Sequence, residues 1–188
     1  MTSMISTNDF FPGVTIELDG QVHQVLESQH VKPGKGPAFV RTRIKNLETG
    51  TIYAKTFRAA EKVPRAIVER REMQLLYSTG QELVFMDEET FDQLSISVEQ
   101  LGDRVGYLKD GDRAAVVMHE SRVLDVDLPP SVVLEVSQTE PGLKGDTATG
   151  GTKPAQLETG ITVQVPLFVG NGEKIRVDTR TGQYIERA

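Results

Sequence analysis

The chain has 188 residues, 38% of them hydrophobic and 26% charged, which is typical of a folded protein and excludes wholesale disorder. The absence of cysteine excludes disulfides and thiolate chemistry, and no apolar run approaches the roughly 20 residues that span a bilayer. The net charge of −6 divides into +3 for residues 1–65, −8 for residues 66–129 and −1 for residues 130–188. We therefore expect a cytoplasmic protein without membrane association. Its basic end would meet a polyanion, and its acidic middle would stay in solvent or face a basic protein. From charge alone, a solvated charged face is an equally good interpretation.

The N-terminal segment is predicted to form short alternating strands. A hairpin is expected around Asp19-Gly20, since this dipeptide tolerates the positive φ angles of a type I′ turn. Alternation in AFVRTRIK separates two faces, with Ala38, Val40, Thr42 and Ile44 on one and Phe39, Arg41, Arg43 and Lys45 on the other. In TIYAKTFR a further mixed face holds Tyr53, Lys55 and Phe57. Bases with interleaved aromatics predict an RNA surface, and the solvated outside of a small barrel is an equally good interpretation.

Prolines mark two predicted boundaries, at Pro64 and at Pro129-Pro130. Between them we expect three strands in residues 71–97, a short helix in SVEQLGDRVGYL and a second hairpin in residues 113–129. The last segment again contains short predicted strands, in SVVLEVSQTEP, TGITVQVPLFV, EKIRVDT and QYIERA. The pattern predicts an all-β chain of three consecutive small barrels, comprising residues 1–65, 66–129 and 130–188.

Motifs for catalysis are missing from the sequence. The three histidines, His23, His30 and His119, lack metal-ligand spacing. The stretch GDTATGGT approaches a phosphate-binding loop, but Gly151 stands where that loop needs its lysine. We expect no enzyme activity, no metal site and no cofactor.

The stretch VKPGKGPAF isolates one lysine on a stiff, bare loop. Lys35 would stand at the tip between Pro33 and Gly34 on one side and Gly36 and Pro37 on the other. The prolines reduce the freedom that such a loop loses on docking. A solvent-exposed hairpin turn without a function is the alternative.

The stretches VKPGKGPAFVR, KNLETG and GDTATGGTKPAQLETGITVQVPLFV resemble bacterial elongation factor P, and the likeness runs from Met4 to Ala188. The resemblance implies an SH3-like (KOW-type) domain followed by two OB-fold domains in an L shape. It also implies a monomeric translation elongation factor that binds the 70S ribosome between the P and E sites. There the factor would contact ribosomal RNA and proteins and position the P-site peptidyl-tRNA, which relieves stalling at consecutive prolines.

Site residues follow from the same resemblance. Lys35, on the loop formed with Pro33, Gly34, Gly36 and Pro37, would point toward the peptidyl-transferase centre. Candidates for RNA-backbone contacts are Arg41, Arg43 and Lys45, and candidates for a loop near the E-site codon are Gly145, Asp146 and Thr147.

Lys35 is also a candidate for post-translational modification by a lysine-modifying enzyme. Pro37 leaves this open, because it resembles family branches in which a stiff loop works unmodified. Other functions considered are a standalone RNA-binding or regulatory β-barrel protein, a specialised paralogue of the family, and an enzyme that uses Lys35 as a nucleophile. The exposed loop offers nothing that would lower the pKa of such a nucleophile.

Overall fold

The computed structural model of the chain describes residues 2–142 and 151–188. Its N-terminal part contains a 3₁₀ helix, Thr7–Asp9, and six strands: β1 (Met4–Ser6), β2 (Thr15–Leu18), β3 (Gln21–Val31), β4 (Phe39–Asn46), β5 (Ile52–Arg58) and β6 (Lys62–Pro64). Strands β2-β3-β4-β5 form an antiparallel sheet in sequence order, and β1 pairs with β6. Asp19 and Gly20 join β2 to β3 with φ angles of 51° and 77°, which confirms the predicted hairpin.

The middle part forms a five-stranded sheet in the order β11-β10-β7-β8-β9. Its strands are β7 (Glu69–Ser78), β8 (Glu82–Asp87), β9 (Gln93–Ser97), β10 (Arg113–His119) and β11 (Arg122–Asp127). The predicted short helix follows β9 as α1 (Val98–Leu101), which continues into a 3₁₀ helix at Gly102–Tyr107. Ser97 begins α1, since its hydroxyl accepts a hydrogen bond from the Gln100 backbone N–H.

The last part forms a second five-stranded sheet in the order β14-β13-β12-β15-β16. Its strands are β12 (Ser131–Thr139), β13 (Thr152–Leu157), β14 (Thr162–Pro166), β15 (Lys174–Asp178) and β16 (Tyr184–Arg187). Sequence analysis missed β13, because Lys153 and Pro154 mask an alternating pattern of buried positions. The pairing of β13 with β12 ends at Ala155, which lies opposite Thr139. Pro154 therefore lies outside this ladder, where its missing N–H is tolerated.

Alternating apolar side chains build the cores of these sheets. In the N-terminal part, one face of β2–β5 buries a cluster together with neighbouring segments: Phe10, Val14, Ile16, Val25, Val40, Ile44, Phe57 and Val63. In the last part the cluster is aliphatic: Val132, Leu134, Val136, Ala155, Leu157, Val163, Val165, Val169, Ile175 and Val177. In β4 the face opposite the core is exposed or half-buried, and its basic side chains occupy that face.

Residue contacts divide the chain into two compact units, Met1–Arg71 with Val116–Asp125, and Glu72–Ala115 with Val126–Ala188. The division into residues 1–65, 66–129 and 130–188 stays a prediction. None of the helices within the described ranges is long and apolar enough to cross a membrane.

Within residues 2–142 and 151–188 one tight turn is found three times, in NLETGT (46–51), DEETFD (87–92) and DTRTGQ (178–183). In each, the side-chain oxygen of the first residue accepts hydrogen bonds from two backbone N–H groups, at positions three and four. The carbonyl of the first residue accepts from the N–H at position five, and the threonine hydroxyl at position four accepts from the N–H at position six. Sequence analysis did not detect this repeat, because only its threonine is invariant among the three copies.

Candidate functional site

The lysine loop occupies residues 32–38 between β3 and β4, as the sequence predicted. Gly36 has a φ of +98°, a conformation that side-chain-bearing residues rarely adopt, whereas Gly34 does not need positive φ. A Cβ atom at either glycine would meet no atom within 4 Å. The backbone path at Gly36, and not crowding, therefore requires glycine on the loop.

Lys35 is exposed, and Gly34, Gly36 and Pro37 beside it are exposed as well. Within the described part of the chain its ammonium group has no hydrogen-bond or ion-pair partner. Pro33 is half-buried, and Lys32 before it is exposed. The loop thus carries two exposed lysines, with Lys35 at its tip on a backbone of limited freedom.

Strand β4 carries the predicted row of basic side chains. Val40, Thr42 and Ile44 are buried, which places the intervening positions on the opposite face. On that face Arg41 and Arg43 are exposed and Lys45 is half-buried. Side chains on one face of a strand repeat about every 6.4–6.8 Å, so the row offers cationic groups at regular intervals.

The two arginines of this row differ in their contacts. Arg43 Nη1 lies 3.2 Å from Glu27 Oε1, in a pair whose side chains are 53% and 67% exposed. The guanidinium of Arg41 instead lies 5.9 Å from the centroid of the Phe39 ring, without an ion-pair partner among the described residues. Arg41 is thus the more available of the two cations for an external anion.

The aromatic and basic residues predicted to share one face of β5 lie level with the buried positions of β4. The register pairs Tyr53, Lys55 and Phe57 with Ile44, Thr42 and Val40, the buried positions of β4. Phe57 is 3% exposed and belongs to the core, and the Tyr53 hydroxyl lies 2.9 Å from Nε2 of buried His23. Burial removes only Phe57 from the predicted RNA surface, since Tyr53 is 40% exposed and Lys55 is exposed as well. For Tyr53 and Lys55 the interpretation stays a prediction.

The register also reveals a base that the sequence did not single out. Arg58 lies opposite Phe39 and shares the outer face with Arg41. Both arginines line an open groove of about 770 Å³ at the base of the lysine loop. The remaining lining residues are Pro37, Ala38, Phe39, Thr56, Phe57 and Ala59. Cross-strand pairing of β4 with β5 was the signal that would have found Arg58.

The predicted codon-side loop, Gly145, Asp146 and Thr147, lies outside the described residues. Lys153, which follows it, is buried at 7%, and its Nζ donates a hydrogen bond to the Glu140 carbonyl oxygen. The ammonium group of this lysine is therefore held by the backbone of the preceding segment.

Family models match almost the whole chain. They are described as the elongation factor P KOW-like domain for residues 6–63, the elongation factor P OB domain for residues 68–126, and elongation factor P, C-terminal, for residues 132–187. These matches agree with the strand-rich architecture. The predicted all-β fold with a KOW-type domain followed by OB-type domains is confirmed.

Two solved structures share the fold over about two thirds of the chain. Eukaryotic translation initiation factor 5A from Methanococcus jannaschii matches with a TM-score of 0.54 and 20% identity, over 66% of this chain and 94% of that one. A translation initiation factor 5A family protein from Naegleria fowleri matches with a TM-score of 0.55 and 16% identity, over 68% and 99%.

Curated relatives match from end to end. Elongation factor P from Pelotomaculum thermopropionicum is 59% identical over 184 residues, which are 98% of this chain and 100% of that protein. Elongation factor P from Moorella thermoacetica is 60% identical over 185 residues, with the same coverage. The chain belongs to the elongation factor P family of translation factors.

Proposed function

We propose that this protein binds the 70S ribosome between the P and E sites and stimulates peptide-bond formation at consecutive prolines. The observation that carries the proposal is the exposed Lys35 at the tip of a constrained loop, in a chain that belongs to the elongation factor P family. The protein would act as a monomer in the cytoplasm. Its partners would be the P-site peptidyl-tRNA, ribosomal RNA and ribosomal proteins.

The proposed mechanism is positional. Proline reacts slowly because its ring fixes φ and constrains the attacking amine. Lys35 would pair with the RNA backbone near the acceptor end of the peptidyl-tRNA and hold the reacting groups in a productive geometry. Orientation alone supplies large rate effects, since a misplacement of about 1 Å can cost about 10²-fold. No side chain of the factor needs to act as acid, base or nucleophile.

The basic face of β4 would fix the protein on the same tRNA. Phosphate contacts position a protein on nucleic acid without reading its sequence. Arg41 is the favoured phosphate ligand, because its guanidinium has no acidic partner among the described residues. Arg58 joins it on the groove below the loop, and Arg43 and Lys45 extend the row. For Gly145, Asp146 and Thr147 we propose a position near the E-site codon, on the family resemblance alone.

A reconstituted translation system tests the function. The rate of Pro-Pro-Pro synthesis is measured with the wild type, with Lys35→Ala and with neither protein. We expect the wild type to accelerate synthesis, and Lys35→Ala to lose most of that acceleration because the tip cation is gone. Lys62→Ala, an exposed lysine of β6, serves as the charge-matched control and should keep the wild-type rate. No acceleration by wild type carrying its native modification would contradict the proposal.

The modification of Lys35 is tested separately. An enzymatic extension would add reach and one more hydrogen-bond donor. Mass spectrometry of the Lys35 peptide from native cells distinguishes the two states. An added mass establishes the action of a lysine-modifying enzyme, whereas an unshifted mass means that the stiff loop acts with a bare lysine.

The row of bases on β4 also favours a second function, a standalone RNA-binding or regulatory protein. Such a protein would bind free RNA with an affinity that falls steeply with salt. Titration of a fluorescent RNA of 20–30 nucleotides tests this, and the net charge of −6 speaks against tight binding.

A further inference from the structure

Phe91 occupies the fifth position of the repeated turn, where the other two copies have Gly50 and Gly182. The φ angles are 77° at Gly50, 64° at Phe91 and 72° at Gly182, and the hydrogen bonds of the three turns correspond one to one. The same turn conformation is therefore formed twice with glycine and once with phenylalanine at this position.

Stability does not explain phenylalanine at this position. A residue with a side chain in this left-handed conformation is less stable than glycine, because its Cβ atom crowds the following carbonyl oxygen. Burial does not offset that cost, since Phe91 is 69% exposed, compared with 8% for Phe10 and 0% for Phe85. Among the described residues its ring has no aromatic or cation contact. The ring is held out into solvent on a hairpin that the hydrogen bonds of Asp87 keep rigid.

The stretch of sequence that contains Phe91 is strongly acidic. Residues 72–103 contain eight acidic and no basic side chains. In the same turn as Phe91, Glu89 and Asp92 are exposed, whereas Glu88 is paired with Arg113 at 2.7 Å, Oε1 to Nε. Such a field repels nucleic acid and attracts a basic surface. Charge complementarity therefore selects a protein partner over RNA.

We propose that Phe91 anchors the protein in an apolar pocket on a basic ribosomal protein, with Glu89 and Asp92 against the lysine and arginine side chains at the pocket's rim. Aromatic residues at the centre of an interface commonly supply most of its energy, and rim charges mainly set the association rate. The inference rests on the proposed function, because the ribosome supplies the partner.

The first test measures the affinity of purified 70S ribosomes for four proteins: wild type, Phe91→Gly, Phe91→Tyr and Phe168→Ala. We expect Phe91→Gly to bind about tenfold more weakly or worse, and Phe91→Tyr to stay within about twofold of wild type. Phe168→Ala removes a ring that is 61% exposed in the last part of the chain, and should also stay within about twofold. The melting temperature of Phe91→Gly should equal or exceed that of wild type, because glycine suits this backbone.

The second test distinguishes a basic protein from RNA. The double variant Glu89→Gln, Asp92→Asn removes two negative charges without touching the hydrogen bonds of the turn. Its affinity for 70S ribosomes should fall, more at low salt than at high salt, if the rim contacts are basic. Tighter binding would overturn the partner class, since fewer negative charges favour contact with phosphates.

Photo-crosslinking from p-benzoylphenylalanine at position 91 is a further test. The crosslinked partner should be a ribosomal protein, linked at a segment rich in lysine and arginine. A crosslink to RNA would overturn the proposal.

The two proposals fail differently. Wild type that binds and stimulates Pro-Pro-Pro synthesis, while Phe91→Gly binds equally well, overturns the anchor and leaves the proposed function standing. Wild type that neither binds 70S ribosomes nor stimulates synthesis overturns both.

Discussion

At the scale of single residues, the two glycines beside Lys35 differ in backbone conformation. Gly36 adopts a φ of +98°, whereas Gly34 has no such requirement, and neither position is crowded. The direction in which Lys35 leaves the loop depends on the backbone that follows it. We therefore propose that Gly36 positions Lys35, whereas Gly34 mainly keeps the loop free of a side chain.

A pair of alanine variants separates these roles. Gly36→Ala should reduce the acceleration of Pro-Pro-Pro synthesis by about one to two orders of magnitude, because the loop must leave its path to avoid strain. Gly34→Ala, with the same added methyl group, should stay within about twofold of wild type. The rates of Pro-Pro-Pro synthesis in the reconstituted system test this difference. Equal rates for the two variants would mean that the backbone at Gly36 does not direct Lys35.

At the scale of elements, the repeated turn shows how one local hydrogen-bond pattern closes hairpins in different parts of the chain. In the last copy the backbone N–H groups of Thr181 and Arg180 donate to the Asp178 carboxylate and lower the pKa of that group from its ordinary value of 3.8. A lowered pKa means that the fold favours the charged form. The stabilisation is complete above pH 3.8 and is lost as the pH falls through the lower pKa of the folded state.

This pH dependence is measurable by urea unfolding of wild type and Asp178→Ala. The free energy of unfolding should differ between the two at pH 7, and the difference should shrink as the pH falls below 3.8. Asn46→Ala is the control, because it removes the corresponding acceptor of the first copy and asparagine does not titrate. A wild-type advantage over Asp178→Ala that stays constant below pH 3.8 would rule out the carboxylate as its source.

A second element-scale contact lies within the second compact unit. Gly106, on the 3₁₀ helix Gly102–Tyr107, has no room for a Cβ atom, which would overlap the Ile161 side chain. Its carbonyl oxygen accepts a hydrogen bond from the Thr159 hydroxyl. Glycine at this position allows the helix to pack against the turn that joins β13 to β14.

Gly106→Ala should therefore destabilise the protein by about 1–3 kcal/mol, as overpacking typically does. Gly170→Ala is the matched control, because a Cβ there meets nothing within 4 Å and its φ is not positive. The control should change the free energy of unfolding by about 0.5 kcal/mol or less. Equal effects of both variants in thermal or urea unfolding would contradict the close approach of Gly106 and Ile161.

For the whole molecule, the separation of basic and acidic segments matters more for binding to polyanions than the net charge does. Bases concentrate between Lys32 and Arg65, and acids dominate residues 66–129. A protein with this distribution can bind polyanions through one end although its total charge is −6. The acidic middle would then prevent nonspecific adsorption to RNA.

Ribosome affinity should consequently fall as salt rises, despite the negative total. Arg41→Ala should weaken binding and reduce the slope of log K against log salt by about 1, the loss of one phosphate contact. Arg43→Ala should have a smaller effect, because Glu27 already neutralises part of its charge. Titrations at several salt concentrations test this, and a larger change of slope for Arg43→Ala than for Arg41→Ala would reverse the assignment.

The sequence by itself determined the strand-rich fold class, the Asp19-Gly20 hairpin, the short helix after β9 and the exposed lysine loop. These features depend on alternation, turn chemistry and capping, which act between residues close in the chain. Tertiary structure decided that Phe57 is buried while Tyr53 and Lys55 stay exposed, that Arg58 joins Arg41, and that β13 is a strand despite Pro154. Only the tertiary structure shows that Phe91 is exposed to solvent, at a turn position where the other two copies have glycine. Such facts depend on which strands pair and in what register, and pairing joins residues whose contact no local pattern encodes.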